Sequence, residues 1–179
     1  MEYRCVATSV EGFVQQLAVA YITHGYWLYV IGQIPERKDP ARVDAKLIDR
    51  YGIAISKWAR HRRKKQGLAN VHYLRFERTF VLIATKGRHQ FFDDEAGNIR
   101  DVRCRPIQFA GYSIGYRMGA DRKRHASVRI APDRYLELKA AFEALATRRS
   151  PESVERLLTS IPFEPYAPNH GDSRSPAAS

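Results

Sequence analysis

One stretch of the chain, residues 57–92, limits the possible fold more than any other. It begins with the cationic run KWARHRRKKQG and continues into the apolar run VHYLRFERTFVLIATKGRHQFF. The first run must lie in water, because its first nine residues contain six Lys/Arg and no acidic residue. The second run is rich in aromatic and β-branched residues, which predicts buried strands. The fold must therefore place an exposed basic helix directly beside the core of a sheet.

The positive charge of the chain is concentrated in the same region. The formal net charge is +11, and residues 53–92 contribute ten Lys/Arg and one acid, Glu77, so that 10 − 1 gives +9 of this total. A solvated helix normally carries opposite charges four residues apart, and this one does not. The concentration of charge therefore predicts a polyanionic partner, and nucleic acid is the one we expect. The sequence leaves open whether that partner is DNA or RNA, and whether it is single- or double-stranded.

Length and composition predict a single domain with a short tail. A chain of 179 residues is long enough to build one core. We expect one basic domain over residues 1–166 and a disordered tail over 167–179, where proline and small polar residues accumulate. The two cysteines, Cys5 and Cys104, lack a CxxC spacing and fit a reducing compartment, so we expect a cytoplasmic protein. No apolar run approaches the ~20 residues of a membrane span.

Helix signals appear at five places in the sequence. Periodic apolar residues and capping residues predict helices over about 10–23, 40–51 and 57–66, then from residue 132 or 133, and from residue 150. In the basic helix, Ser56 is the expected N-cap and Gly67 the C-terminal stop. In the helix that begins near Pro132, Tyr135, Leu138, Phe142 and Leu145 form a stripe that we expect to face the sheet.

Strand signals lie between the basic helix and residue 130, with one strand before that helix. Strands are predicted over 26–34, 71–76, 80–84, 99–104, 107–117 and 126–130, and a turn at residues 85–88 leads into residues 89–92. The run at 80–84 is apolar throughout, which predicts a central strand covered on both faces. The resulting fold class is α+β, with one mostly antiparallel sheet of about 5–6 strands packed against helices in a two-layer sandwich. We expect its core to include Leu17, Val30, Leu47, Val81, Ile83, Leu138, Phe142 and Leu158.

A phosphate-binding surface is the main functional prediction. Lys and Arg gain affinity for a phosphate backbone by releasing counterions, which requires no exact geometry. The candidate residues are the cations of the basic helix and of three later segments: Lys57, Arg60, His61, Arg62, Arg63, Lys64, Lys65, Arg75, Lys86, Arg88, Arg122, Lys123 and Arg124. Because the helix offers no aligned set of Asn, Gln or Arg for base edges, we expect mainly backbone contacts with low sequence specificity.

Aromatic residues near this charge allow a second mode of contact. On an open sheet face they could stack on unpaired bases, although aromatics in strands usually belong to the core. The candidates are Tyr26, Trp27, Tyr29, Tyr73, Phe76, Phe91, Phe92, Tyr112 and Tyr116. The usual K/R-G-F/Y-G/A-F signature of an RNA-binding sheet is absent from the sequence.

An enzymatic alternative rests on histidines and an acidic loop. The six histidines, at positions 24, 61, 72, 89, 125 and 170, form no HxH, HExxH or Cys/His quartet, and we expect no metal site and no cofactor. His72 and His89 could still meet across a sheet and, with Asp93, Asp94 or Glu95, hold a divalent ion for a nuclease. Tyr112 or Tyr116 could then be the nucleophile of a replication- or transposition-type strand-transfer enzyme. A third class is an accessory subunit of a larger nucleoprotein complex.

Overall fold

The computed structural model describes residues 3–147 together with residues 155, 156 and 159. The helices are α1 (Val10–Gln15), α2 (Pro40–Arg50), α3 (Lys57–Lys65), α4 (Gln90–Asp94) and α5 (Pro132–Thr147). The strands are β1 (Leu28–Gln33), β2 (Val71–Phe76), β3 (Thr79–Ala84), β4 (Arg100–Asp101), β5 (Ile107–Phe109), β6 (Tyr112–Met118) and β7 (Arg124–Ile130). Helix α1 continues through a π-helical turn, Gln16–Tyr21, and a 3-10 turn, Ile22–His24. None of these described helices is long and apolar enough to cross a membrane.

The main sheet has four antiparallel strands in the order β2-β3-β1-β4. Its register aligns one end of all four strands, because Ala84 pairs with Leu28 and with Val71, and Leu28 pairs with Asp101. The chain segments that enter or leave the strands at this level therefore gather at one edge of the molecule. We call this edge the basic end of the sheet, for the residues described below.

Both faces of the main sheet are covered, which explains the uninterrupted apolar pattern of β3. One face packs against the α1 segment and a second sheet, through residues that include Phe13, Leu17 and Ile114. The other face packs against α2, α4 and the Tyr51–Ile53 connection. All four residues from Val81 to Ala84 are at most 1% exposed. The prediction of a central strand covered on both faces is confirmed.

The second sheet corrects the predicted strand count. Residues 107–117 do not form one strand. They form a hairpin, β5–β6, and β7 completes a three-stranded sheet in the order β5-β6-β7. Ala110 and Gly111 make the two-residue turn, both with positive φ, 48° and 79°, as type I′ turns require. The α+β class is confirmed, but the described residues form seven strands divided between two antiparallel sheets, where one sheet of about 5–6 strands was expected.

Two other segments are defined by the structure, one that the sequence left without a predicted conformation and one that is shorter than predicted. Residues 89–92, which follow the predicted turn, begin helix α4: the Nδ1 atom of His89 accepts a hydrogen bond from the backbone N–H of Phe91 at 3.0 Å and caps it. The expected strand 99–104 is only two residues long. It stops because the carboxylate of Asp101 accepts from the backbone N–H of Arg103 at 2.9 Å, which turns the chain.

The predicted packing of α5 is not observed. Tyr135 is 56% exposed, Leu136 is 63% exposed, and Leu138 and Phe142 are only half-buried. The physical reason is that α2, α4, α1 and the second sheet already occupy both faces of the main sheet. Of the other expected core residues, Leu17, Val30, Val81 and Ile83 are buried and Leu47 is half-buried at the edge of the core. Leu158 and the tail 167–179 lie outside the described residues, and of the last predicted helix only residues 155, 156 and 159 are described, all three in helical conformation.

Candidate nucleic-acid interface

Helix α3 forms where its capping residues predict it, despite the repulsion among its cations. The hydroxyl of Ser56 accepts a hydrogen bond from the backbone N–H of Ala59 at 3.2 Å, and Gly67 ends the helix with φ +70°. Four of the cations, residues 62–65, lie in the last turn. Positive charge at a helix C-terminus interacts favourably with the helix dipole, which offsets part of the repulsion.

Two arginines of α3 attach the helix to the body of the protein. The Nη2 atom of Arg60 donates to the carbonyl of Ile53 at 2.9 Å, and that of Arg63 donates to the carbonyl of Ala69 at 3.0 Å. The buried Asn70 side chain in turn donates to the carbonyl of Arg60 at 3.0 Å. Arg60 and Arg63 therefore each bind a backbone carbonyl of the protein body, which the sequence did not reveal.

The remaining polar residues of α3 face the solvent. We define the α3 ridge as the exposed residues of this helix: Lys57, Trp58, His61, Arg62, Lys64 and Lys65. Trp58 is 79% exposed, so it does not belong to the core. Within the described part of the chain, no carboxylate lies within 4 Å of any cation of α3. The ridge thus combines unneutralised charge with an exposed aromatic ring.

The turn after β3 adds two cations beside this ridge. The backbone N–H of Arg88 donates to the carbonyl of Gly67 at 3.0 Å, and the N–H of Ala69 donates to the carbonyl of Arg88 at 3.1 Å. Lys86 and Arg88 are both exposed. The structure thus brings Arg88 next to the C-terminus of α3, and Lys86 lies two residues before it in the same exposed turn.

A groove beside Arg88 has mixed charge. Arg50, Arg63, Arg88 and His89 line this open groove of about 820 Å³, but so do Asp49 and Asp93. Carboxylates at this position would repel phosphates, whereas the α3 ridge contains no carboxylate.

Arg75 takes no part in this surface. Its Nε and Nη2 atoms both donate to the carboxylate of Asp44, each with a shortest distance of 2.8 Å, and the Tyr73 hydroxyl donates to the same carboxylate. The Arg75 side chain is 12% exposed and that of Asp44 is 9% exposed. These hydrogen bonds raise the pKa of Arg75. Its charge is already compensated inside the protein, so we leave Arg75 out of the interface.

The third predicted cationic segment lies on the β6–β7 hairpin. Arg122, Lys123 and Arg124 are exposed, and the Asp121 carboxylate shapes the loop by accepting from the N–H of Lys123 at 3.0 Å. The hairpin reaches the basic end of the sheet, because the Tyr116 ring lies 5.5 Å from the Trp27 ring just before β1. The predicted groups therefore share one end of the main sheet, with α3 at β2 and the hairpin near β1.

The same end holds arginines that sequence reasoning missed. Arg103, Arg117 and Arg129 line a pocket of about 400 Å³ together with Arg124. The guanidinium of Arg103 lies 4.4 Å from the centroid of the Trp27 ring. A partial signal was available, since Arg117 and Arg129 point to the same face of a hairpin by strand alternation. To recognise that these two arginines share a face, one must know the hairpin register, which pairs Ser113 with Arg129 and Arg117 with His125.

The aromatic candidates separate into core and surface residues. Tyr26, Tyr29, Tyr73, Phe91 and Tyr112 are at most 9% exposed, and Phe76 and Phe92 pack against the core clusters. Trp27 and Tyr116 are half-buried at the basic end. Both faces of the main sheet are covered, so stacking of bases across an open face of that sheet is not possible.

The residues of the nuclease hypothesis do not come together. His72 stacks on Tyr21 with ring centroids 4.6 Å apart, whereas His89 lies near Tyr51 on the opposite face of the main sheet. Burial lowers the pKa of His72 to about 3 and, with the nearby charge of Arg63, also lowers that of His89. Among the described residues, no three His, Cys, Asp or Glu side chains are grouped to hold a metal ion.

The candidate interface thus consists of the α3 ridge, the adjoining turn at Lys86 and Arg88, and the cationic hairpin. Comparisons with protein-family models, with curated proteins and with solved structures find no match for this chain.

Proposed function

We propose that this protein binds nucleic acid through phosphate-backbone contacts of low sequence specificity, with the α3 ridge as the principal surface. The supporting observation is that the ridge displays four Lys/Arg without a carboxylate partner in the described residues. Unpaired surface cations release counterions when they contact phosphates, which is the main source of nonspecific affinity. The adjoining Arg88 extends the same surface to five cations.

Trp58 gives the ridge a contact that cations alone cannot make. An indole ring that is 79% exposed among cations can stack on an unpaired base, and such stacking is tolerant of sequence. The ridge contains no Asn or Gln that could read a base edge. Both features favour binding to unpaired strands without a sequence preference.

The other function classes carry weaker support. No observation favours a nuclease, since His72 and His89 lie on opposite faces of the sheet. An accessory subunit of a nucleoprotein complex would use the same ridge, but it would require its protein partner in order to bind. We also retain the proposal of a cytoplasmic location, which is supported by the two unpaired cysteines.

Salt-dependent binding of short oligonucleotides, measured by calorimetry, tests the proposal. If the ridge and Arg88 neutralise about five phosphates, the slope of log affinity against log salt is about −3.5 for single strands and −4.5 for duplexes. The triple substitution Arg62→Glu, Lys64→Glu and Lys65→Glu should flatten this slope by about two to three and weaken all sequences alike. These three side chains are exposed, so the fold should be retained.

The matched control reverses three exposed cations away from the basic end, Arg37, Lys38 and Lys46. This control should keep nearly the full slope, because it leaves the ridge intact. Equal losses in the two triple variants, or binding that is insensitive to salt, would show that the α3 ridge is not the binding surface. Binding only in the presence of another protein would favour the accessory-subunit class.

A further inference from the structure

A second basic site is built differently from the α3 ridge, because it is concave. It lies between the loop of residues 102–106 and the β6–β7 hairpin, and it encloses about 400 Å³. Its lining contains four arginines together with Cys104, Pro106 and Tyr116. This volume lies in the range of pockets that hold small ligands, which is about 300–1,000 Å³.

The walls of the pocket come close to each other where β6 has a glycine, Gly115. Gly115 is buried, and a Cβ atom at this position would lie 3.4 Å from the Cγ atom of Pro106. Arg117 and Arg129 leave the same face of the hairpin on either side of this contact. The loop and the strand thus form a cleft between two arginines instead of a flat basic surface.

One of the four guanidinium groups is held in a fixed position. Arg103 donates from Nε to the Asp101 carboxylate at 2.9 Å and stacks on Trp27. This pairing lowers the pKa of Asp101 and raises that of Arg103, so the pair stays charged. The Nη1 atom of Arg103 donates no hydrogen bond to any of the described residues. A rigid donor with an unused N–H group favours binding, because little side-chain entropy is lost.

The other three arginines carry uncompensated charge. Arg117, Arg124 and Arg129 are exposed, and within the described residues none of them forms an ion pair. Asp101 neutralises Arg103 alone, so the lining of the pocket carries a net charge of about +3, with Arg117 and Arg129 on one face of the hairpin and Arg124 on the other. Guanidinium groups pair with phosphate oxygens through strong, often bidentate, hydrogen bonds.

We propose that this pocket binds the terminal phosphate of a nucleic-acid strand. An internal phosphodiester carries one negative charge, whereas a phosphate monoester carries about −1.5 to −2 at pH 7 and has three acceptor oxygens. Several arginines in the lining of one pocket match the monoester better. A small pocket also suits the end of a strand better than a strand that passes through. The inference rests on the proposed function, which brings the strand to the basic end of the sheet.

Cys104 allows this site to be tested directly. Cys104 is exposed and lines the pocket, whereas Cys5 is buried. Alkylation of Cys104 by N-ethylmaleimide, followed by mass spectrometry, therefore reports occupancy of the pocket, and Cys5 is an internal control. The probes are one short oligonucleotide with a 5′ phosphate, with a 3′ phosphate or with hydroxyl ends, and inorganic phosphate at equal concentration.

We expect a phosphate at one end of the oligonucleotide to slow the alkylation of Cys104. The protein should bind this oligonucleotide about tenfold more tightly than the hydroxyl-ended one, a difference equivalent to one charge-assisted hydrogen bond. The double variant Arg117→Gln and Arg129→Gln should abolish this difference. The matched variant Arg37→Gln and Arg42→Gln, made in exposed arginines away from the pocket, should keep it.

Three results would overturn the inference. They are equal affinity for phosphorylated and hydroxyl ends, unchanged alkylation of Cys104 in the unmodified protein, and protection by inorganic phosphate as strong as that by the strand. The proposed function fails by a separate result, namely the absence of binding of the hydroxyl-ended strand. The affinity for the hydroxyl-ended strand thus tests the proposed function, and the ratio of the affinities for phosphorylated and hydroxyl-ended strands tests the pocket.

Discussion

At the scale of single residues, His72 is an ionisable group kept neutral by its surroundings. Its Nδ1 atom lies 3.0 Å from the hydroxyl of Tyr3, and its ring packs against those of Tyr21 and Tyr26. Burial lowers the pKa of His72 to about 3, and the positive charge of Arg60 acts in the same direction. The folded protein therefore excludes a proton that the unfolded chain accepts.

This exclusion predicts acid sensitivity. Below pH 6.5 the unfolded chain binds a proton at His72 and the folded protein does not, until the pH approaches 3. The free energy of unfolding should therefore fall by up to about 1.4 kcal/mol per pH unit through this window, and be unaffected by His72 above it. His72→Asn retains a hydrogen-bonding group for the Tyr3 hydroxyl but cannot be protonated, so its stability should fall less steeply.

Urea unfolding followed by circular dichroism between pH 7.5 and pH 5 measures this difference. Other titrating groups are common to both proteins and cancel in the comparison. His61→Asn, at an exposed position on α3, is the control and should keep the pH dependence of the unmodified protein. Parallel curves for the unmodified protein and His72→Asn would show that His72 does not cause the acid sensitivity.

At the scale of elements, the contact between the turn after β3 and the end of α3 depends on Gly87. This residue has φ +137°, and a Cβ atom there would lie 2.5 Å from the backbone nitrogen of Ala69. Gly87→Ala should therefore destabilise the protein by more than about 1 kcal/mol, because backbone would have to move. It should also weaken oligonucleotide binding, since Arg88 is displaced from the ridge.

The chain offers a matched substitution for this test. A Cβ atom added at Gly97 would have no atom within 4 Å, and the φ of Gly97 is not in the left-handed region. Gly97→Ala should change the free energy of unfolding by no more than about 0.5 kcal/mol. Thermal unfolding of the two variants side by side measures the difference. Similar stabilities would indicate that the turn can open without cost.

Elements defined by local signals could be predicted from the sequence. The limits of α3 follow from Ser56 and Gly67, and β2 and β3 follow from apolar, β-branched runs. The β5–β6 hairpin was missed because its turn places an alanine at positive φ, a conformation that alanine rarely adopts. The pairing of Arg75 with Asp44 joins residues 31 positions apart, which no local pattern reveals.

At the scale of the whole molecule, the net charge of +11 acts in opposite directions on stability and on binding. Repulsion among cations at the basic end destabilises the free protein, and salt screens it. We therefore expect moderate salt to raise the melting temperature of the free protein while it lowers oligonucleotide affinity. The triple variant at Arg62, Lys64 and Lys65 should melt at a higher temperature in low salt and respond less to added salt. A melting temperature that falls with salt would contradict this expectation.

Each proposed surface has its own intrinsic fluorophore. The chain has two tryptophans: Trp58 is exposed on the α3 ridge, and Trp27 lies beneath Arg103 next to the arginine pocket. Stacked bases quench indole emission, so Trp27→Phe leaves a protein whose fluorescence reports the ridge. In Trp58→Phe the remaining indole lies against the Arg103 guanidinium, so its emission reports the binding of a phosphate to that cation. The order in which a strand occupies the two surfaces can therefore be followed in real time without an added dye.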